Sequence, residues 1–517
     1  MEAPRISVPD QYNAASEFVD RHVAEGRGDK LALICGDRRV TYRQVQEMTN
    51  RVGNALLQLG VEMEQRVLLL CLDCPEWVAT FWGAMKIGAV PVPVNTMMRG
   101  ADYAYFLNDS RAAVLVVSDA LWPEVAKARG EMRSLRHVVV VGQPTGDLIP
   151  FGEWTAKASP HLEPAQTSKD DVAFWLYSSG STGFPKGAVH LHHDIVYTTD
   201  LYARPTLGIT ERDITFSAAK LFFAYGLGNN LTFPFRAGAT AVLYPGRPLP
   251  DAMFETIHTY RPTIFYGVPT LYAAMLQVPD AERKWDLSCL RLCVSAGEAL
   301  PAEILKRWKE RFGTDILDGI GSTEVLHIFI SNRRGDIRPG SSGKIVPGYE
   351  ARLVDEAGKP VPTGEVGNLL IKGDSTAACY WNKHERTKLT MLGEWIVTGD
   401  KYTQDAEGYF HYCGRSDDML KVGGIWVSPF EVESTLIGHP AVLEAAVVGA
   451  EDTDELVKPK AYVVLKAGHT PSPELEADLK HFVKDKIAPY KYPRWIEFVP
   501  ELPKTATGKI QRFKLRT

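Results

Sequence analysis

Long apolar runs are missing from this chain. Nowhere do about 18 consecutive apolar residues occur, which removes a membrane-spanning helix from consideration. The opening Met1-Glu2-Ala3-Pro4-Arg5 starts no apolar leader, so no secretory signal is expected. Cysteine is scarce: seven among 517 residues, at 35, 71, 74, 289, 293, 379 and 413, an odd number without clustered spacing. A disulfide framework is therefore not expected, and a reducing cytoplasm is the expected compartment. There is no basic excess either, since 58 Lys and Arg stand against 63 Asp and Glu, a formal net charge of -5. Neither nucleic acid nor an anionic membrane is an expected partner. Internal repeats and low-complexity tracts are absent too. What remains is an ordinary globular composition, 45% hydrophobic and 23% charged, long enough for a large core in roughly three to four domain-sized units.

Periodicity then sets the fold class. Thr41-Tyr42-Arg43-Gln44 reads as a capping box, after which Val45, Met48, Val52, Leu56 and Leu59 recur at helical spacing until Gly60. Apolar strands are predicted over 66–72, 89–94, 113–118, 138–141, 172–177, 239–244, 263–266 and 290–295, with amphipathic helices between them, one opened by Pro75. That alternation predicts an α/β fold with parallel sheets covered on both faces. After about 340 the pattern changes to short strands with polar turns, at 349–354, 368–371 and 409–412. From Phe430 a helix, strands over 441–448 and 461–465, a helix over 473–485 and a last strand form a compact α+β tail. The expected division is an N-terminal domain, 1–416, whose β-rich part spans about 340–416, and a small C-terminal domain, 417–517.

The strongest chemical signal is Tyr177-Ser178-Ser179-Gly180-Ser181-Thr182-Gly183-Phe184-Pro185-Lys186-Gly187. Its glycines let main-chain N–H groups approach an oxyanion, its hydroxyls add donors, and Lys186 adds a positive charge, a set suited to a triphosphate. The glycine spacing, and the glycine after Lys186, do not fit the P-loop ATPase pattern.

This segment resembles the signature of the adenylate-forming superfamily: acyl- and aryl-CoA synthetases, luciferases and peptide-synthetase adenylation domains. Five further segments match in order. They are Ser295-Ala-Gly-Glu298-Ala-Leu-Pro301, Asp318-Gly-Ile-Gly-Ser-Thr323-Glu324, Thr398-Gly399-Asp400, Gly414-Arg415-Ser416-Asp417-Asp418 and Pro503-Lys-Thr-Ala-Thr-Gly508-Lys509. The resemblance implies ATP, Mg²⁺ and coenzyme A as reactants. It implies that Glu324, a hard carboxylate, holds Mg²⁺ and that Thr323 donates to the α-phosphate. By the same resemblance Asp400 takes the ribose hydroxyls with Arg415 beside it. Asp318, Gly319, Ile320 and the Gly297-Glu298-Ala299 segment meet the adenine, with aliphatic Ile320 where relatives often carry an aromatic. Lys509 bridges the substrate carboxylate and the phosphate, an electrostatic role at the transition state. Asp417 resembles a hinge about which the small, mobile C-terminal domain rotates after adenylation. Gly423, Gly424 and Trp426 would then line the pantetheine tunnel.

The acid is read from the pocket. Amino-acid-activating relatives place an aspartate after a phenylalanine, whereas here Lys220-Leu-Phe-Phe223-Ala224-Tyr225-Gly226 offers no carboxylate. Many acyl- and aryl-CoA ligases carry a histidine where Phe223 stands. By resemblance to benzoate–CoA ligases, Ala224, Tyr225, Ala296, Gly297, Gly321, His327 and Ile328 enclose the ring, which favours a short, planar, apolar acid, benzoate first. The alternatives are an aryl-adenylating enzyme loading a carrier protein and a CoA ligase for another short or medium-chain acid. Monomer and homodimer both stay open. Three features are expected to carry no chemistry: the Cys71–Cys74 pair, the His190-Leu-His192-His193 run, read as solvated histidines at a helix start, and Trp77 and Trp82, read as packing.

Overall fold

The computed structural model describes residues 3–178, 184–416, 418–422, 425–452, 457–504 and 510–516, with the main chain alone at 421, 425 and 426. The predicted capping box forms: the Gln44 amide donates to Thr41 Oγ1 at 3.3 Å and the Thr41 amide to Gln44 Oε1 at 2.8 Å, starting the helix Tyr42–Gln58. Val45, Val52 and Leu56 face the core from it. Pro75 occupies the first turn of the helix Pro75–Lys86, where its missing N–H goes unused, and Trp77 and Trp82 are both fully buried.

Two large sheets form the body. Five parallel strands run in the order Val90–Pro93, Arg66–Leu70, Val114–Ser118, His137–Val141, Ile149–Pro150. The second sheet has nine strands and is parallel from Ile316–Gly321 through Leu292–Ser295, Ile264–Gly267, Ile214–Ser217 and Thr240–Leu243 to Leu31–Cys35. Antiparallel arms finish both edges, with Ile328–Ser331 folding back on Ile316–Gly321.

One expected strand sits elsewhere. Val172–Ser178 pairs antiparallel with Lys186–Leu191 in a separate three-stranded sheet completed by Cys379–Tyr380. The physical reason is the length of the connection: seven residues, 179–185, cannot make the crossover of a dozen or more that a parallel pair requires. A five-stranded antiparallel sheet, Glu350–Val354, Gly367–Lys372, Met391–Leu392, Trp395–Gln404 and Phe410–Arg415, matches the predicted β-rich part. The tail holds the helices Pro429–Ile437 and Pro473–Lys486 against the strands Val442–Glu451, Val457–Leu465 and Trp495–Phe498. Its apolar clusters draw on residues from 420 onward, and those of the body on residues up to 412, so the cores are separate.

Candidate active site

Strand ends bring the predicted phosphate-side residues together. Ser178 ends one strand and Lys186 opens its antiparallel partner, and the two residues are paired in register. The Ser178 hydroxyl donates to Glu324 Oε1 at 3.0 Å, and the Tyr380 hydroxyl donates to the same oxygen at 2.7 Å. Lys186 Nζ lies 3.4 Å from the Tyr380 hydroxyl and 4.5 Å from its ring centroid. Burial pushes the Glu324 carboxyl up, but the Tyr380 hydroxyl and the Lys186 ammonium outweigh it and hold the group below the usual carboxylate range. Burial lowers the Lys186 ammonium, with Glu324 opposing. Thr323, next to Glu324, is held by its main chain: the His190 Nε2 donates to its carbonyl at 2.8 Å, while His190 Nδ1 meets Asp194 Oδ2 at 2.7 Å.

On the nucleotide side, Asp318 lies in the strand Ile316–Gly321, opposite Ser295 of the neighbouring strand, just before the turn carrying Gly297, Glu298 and Ala299. Its Oδ2 accepts from the Leu300 amide at 3.3 Å, while Oδ1 is buried without a partner among the described residues. Burial pushes this carboxyl up to about 8, against the pull of the Leu300 amide. Gly319 is required by closeness: a Cβ there would lie 2.8 Å from the Ile330 carbonyl oxygen. Asp400 and Arg415 face each other across a strand pair, with Arg415 Nη1 donating to Asp400 Oδ1 at 3.1 Å and to the Thr398 carbonyl at 3.1 Å. The tail reaches this side of the body through the Ile510 amide, which donates to Glu298 Oε1 at 3.1 Å.

The acid-pocket residues also converge. Ala296, Ile328 and Tyr225 share one apolar cluster, which also takes in the adenine-side Ile320, whereas Ala224 packs into the neighbouring cluster. Ala224 and Tyr225 open the short helix Ala224–Leu227, and Tyr225 donates its hydroxyl to the Gly267 and Val294 carbonyls, each at 3.2 Å. His327 is 3% exposed, with its ring 5.6 Å from that of Tyr225. Asn229 Nδ2 donates to Ser217 Oγ at 3.2 Å, which turns Asn229 Oδ1 toward His327 Nε2, also at 3.2 Å. The Tyr225 carbonyl accepts from the same nitrogen at 3.3 Å. The proton therefore sits on Nε2, and burial drives the imidazole down to about 3, so the ring is neutral. A Cβ on Gly321 would meet the His327 carbonyl oxygen at 2.5 Å, and one on Gly228 the His327 ring at 2.3 Å.

This geometry coincides with a family. The AMP-binding enzyme family matches residues 20–381, and the AMP-binding enzyme C-terminal domain matches residues 431–509. The chain belongs to the AMP-binding enzymes. It is 55% identical to the benzoate–CoA ligase of Thauera aromatica over 99% of this chain and 97% of that one. Among solved structures it resembles an anthranilate CoA ligase in complex with anthranoyl-AMP, at 51% identity and a TM-score of 0.95, covering 98% of this chain and 97% of that chain. A benzoate CoA ligase from Burkholderia xenovorans is likewise 51% identical, with a TM-score of 0.91, covering 98% of this chain and 100% of that one.

Not every expected site residue of this AMP-binding enzyme can be placed. Ser179, Gly180, Ser181, Thr182, Gly183, Asp417, Gly423, Gly424 and Lys509 lie outside the described residues, as does the Trp426 side chain. One expectation is overturned. His190 and His192 are not solvated but buried, at 0% and 1% exposure, because each is spent on a main-chain partner: His190 on the Thr323 carbonyl, and His192 Nδ1 on the Ala14 amide, which donates to it at 3.1 Å. All seven cysteines are free thiols, with Cys71 and Cys74 pushed up by burial. Four further residues support the candidate site: Tyr380, Asp194 and Asn229, which sequence reasoning passed over, and His190, which it had set aside as solvated. The histidine-rich run was the one visible signal for His190 and Asp194; Tyr380 and Asn229 carry none.

Proposed function

We propose that this AMP-binding enzyme ligates benzoate to coenzyme A in two half-reactions. The benzoate carboxylate attacks the α-phosphorus of ATP and pyrophosphate leaves, giving benzoyl-adenylate. The CoA thiolate then attacks the acyl carbon and AMP leaves, giving benzoyl-CoA. One observation carries the reading: a single turn joins the two chemistries. Gly321 enters it from the strand, Thr323 and Glu324 stand on it, and His327 leaves it into the acid pocket. A neutral histidine and an apolar cluster suit a flat, uncharged ring, with the acid's carboxylate facing Thr323. The names of the relatives, benzoate–CoA ligase and a ligase bound to anthranoyl-AMP, point to the same acid class.

The roles follow from charge. Ser178, the residues 179–183 and Lys186 grip the β- and γ-phosphates, and Thr323 donates to the α-phosphate. Among the described residues no group of three or more His, Cys, Asp or Glu stands ready for a metal. A lone carboxylate beside substrate phosphates nonetheless fits Mg²⁺, which takes one or two carboxylates and otherwise phosphates and water. Among the described residues both side-chain hydrogen bonds to Glu324 fall on Oε1, and Glu324 would hold that ion through its carboxylate. When bound, Mg²⁺ neutralises charge on the departing pyrophosphate. Asp400 takes the ribose hydroxyls beside Arg415. Asp318, Gly319, Ile320 and Gly297–Ala299 hold the adenine. Lys509 screens the two anions from each other as they meet. Ala224, Tyr225, Ala296, Gly321, His327 and Ile328 bound the ring.

The separate cores support a division into residues 1–416 and 417–517. Rotation of the second about Asp417 would withdraw Lys509 and bring Gly423, Gly424 and Trp426 to the pantetheine arm. Among the described residues no helix is long and apolar enough to cross a membrane, and ATP and CoA as reactants favour the cytoplasm.

The test is benzoate-dependent exchange of pyrophosphate into ATP, followed by benzoyl-CoA formation on adding CoA. Benzoate should have the highest kcat/KM in a panel with hydroxybenzoates, aminobenzoates and medium-chain acids. Exchange without thioester would point to a carrier protein as acceptor. Absence of exchange with every acid would refute the reading.

A further inference from the structure

The helix Gly100–Ser110 lies outside every motif above, yet it holds both strand ends that carry Ser178 and Lys186. Tyr105 and Asp109 stand four residues apart on it and so share a face. On the entry side, the Tyr177 hydroxyl donates to Asp109 Oδ2 at 2.7 Å, and the Tyr177 ring packs on Phe106 with centroids 4.7 Å apart. On the exit side, the Tyr105 hydroxyl donates to the Pro185 carbonyl at 2.8 Å. The Tyr105 ring also stacks on Phe184, with centroids 4.7 Å apart and planes 18° from parallel. Phe184 is 70% exposed, so this stack is what a large apolar ring gains at an otherwise open position. The Asp109 main chain is tied in as well: its carbonyl accepts from Trp381 Nε1 at 2.8 Å, and Trp381 stacks on Trp175 of the entry strand, 4.8 Å away.

Main-chain pairing already holds Ser178 opposite Lys186, so the fold does not need these two polar contacts to form the hairpin. What they add is a fixed distance from the hairpin's turn end to the rest of the body, where Glu324 stands. We propose that Tyr105 and Asp109 are positioning residues for triphosphate binding, clamping both flanks of the phosphate-gripping segment from one helix face. The inference rests on the proposed role of that segment in holding the β- and γ-phosphates.

That role supplies a discriminating test, because only adenylation involves a triphosphate. Pyrophosphate exchange is measured against ATP concentration for the wild type, Tyr105→Phe and Asp109→Asn, each verified by thermal melting. In parallel, benzoyl-CoA is made from supplied benzoyl-adenylate and CoA, which bypasses the triphosphate. Each variant should raise KM for ATP roughly tenfold, the loss expected for one well-placed hydrogen bond. Thioester formation from the adenylate should stay at the wild-type rate. Unchanged exchange in Tyr105→Phe, or equal loss in both half-reactions, would overturn the inference. Should Asp109→Asn fail to fold, Tyr105→Phe decides alone, since it removes one oxygen at a half-buried position. A wild type that shows no exchange fails the functional reading itself, which is a different result from a variant that matches an active wild type.

Discussion

Adenylation drives a carboxylate against a triphosphate, and the charge states of two residues of this chain each carry a prediction. Lys509 is proposed to lower the barrier by placing a cation between the anions. Lys509→Ala should slow benzoate-dependent pyrophosphate exchange by roughly 10²–10³-fold, the usual consequence of removing a transition-state charge partner. Thioester formation from supplied benzoyl-adenylate should be largely spared; comparable loss in both would contradict the role. Asp318 presents the reverse case, a carboxyl held protonated by burial. Its folded value of about 8 lies well above the usual carboxylate value of 3.8. Between those values the folded chain keeps a proton that the unfolded chain has released. This contribution to stability is therefore present below about pH 4 and lost as pH rises toward 8. Asp318→Asn should melt progressively higher than the wild type as pH is raised from 5 to 8, in scanning fluorimetry. A constant difference across that range would show that burial does not set the group's charge.

At the scale of elements, the turn after Ile316–Gly321 owes its placement to a neighbour. His190, in the strand Lys186–Leu191, binds the Thr323 carbonyl and is backed by Asp194. His190→Gln fills the space but cannot span both partners. It should raise KM for MgATP by about tenfold, one hydrogen bond's worth, read in pyrophosphate exchange at saturating benzoate. What was legible in the sequence divides along the same lines. The βα alternation could be read because each strand is a local apolar run, and the capping box because Thr41 and Gln44 are three residues apart. The membership of Val172–Ser178 could not, since an apolar run looks the same in either sheet and only the short connection tells them apart. Motif residues such as Glu324, Asp400 and Arg415 were singled out through resemblance. Their partners were not. Tyr380 meets Glu324 from 56 residues away, His190 meets Thr323 from 133, and Asn229 meets His327 from 98, separations that leave no periodic or spaced signal.

Across the whole molecule, body and tail have separate cores joined by polar contacts such as that of Ile510 with Glu298. The segment that follows Lys509 is tied into the tail by Arg512. Its Nη2 donates to Glu433 Oε2 at 2.7 Å and its Nε to Oε1 at 3.1 Å, and Oε1 also accepts from the Val447 amide at 2.7 Å. Glu433 is 4% exposed, so Arg512→Met would leave a buried carboxylate short of its cation, at a cost of about 3 kcal/mol. Because the cores are distinct, this loss should fall on the tail. Calorimetry should show an early transition split from that of the body, with adenylation weakened and the melting of the body unchanged. A single transition shifted as a whole would mean that the two units unfold together.

In the proposed acid pocket, bare main chain backs His327. Gly321 and Gly228 press so closely on His327 that neither position has room for a methyl group. That backing has no side chain left to shorten, and anything added to it pushes into the histidine. On the proposed assignment, the capacity to admit a bulkier acid would lie in the side chains Tyr225, His327 and Ile328. Room for larger acids would come from shortening side chains such as these, while the two glycines hold the main chain in place.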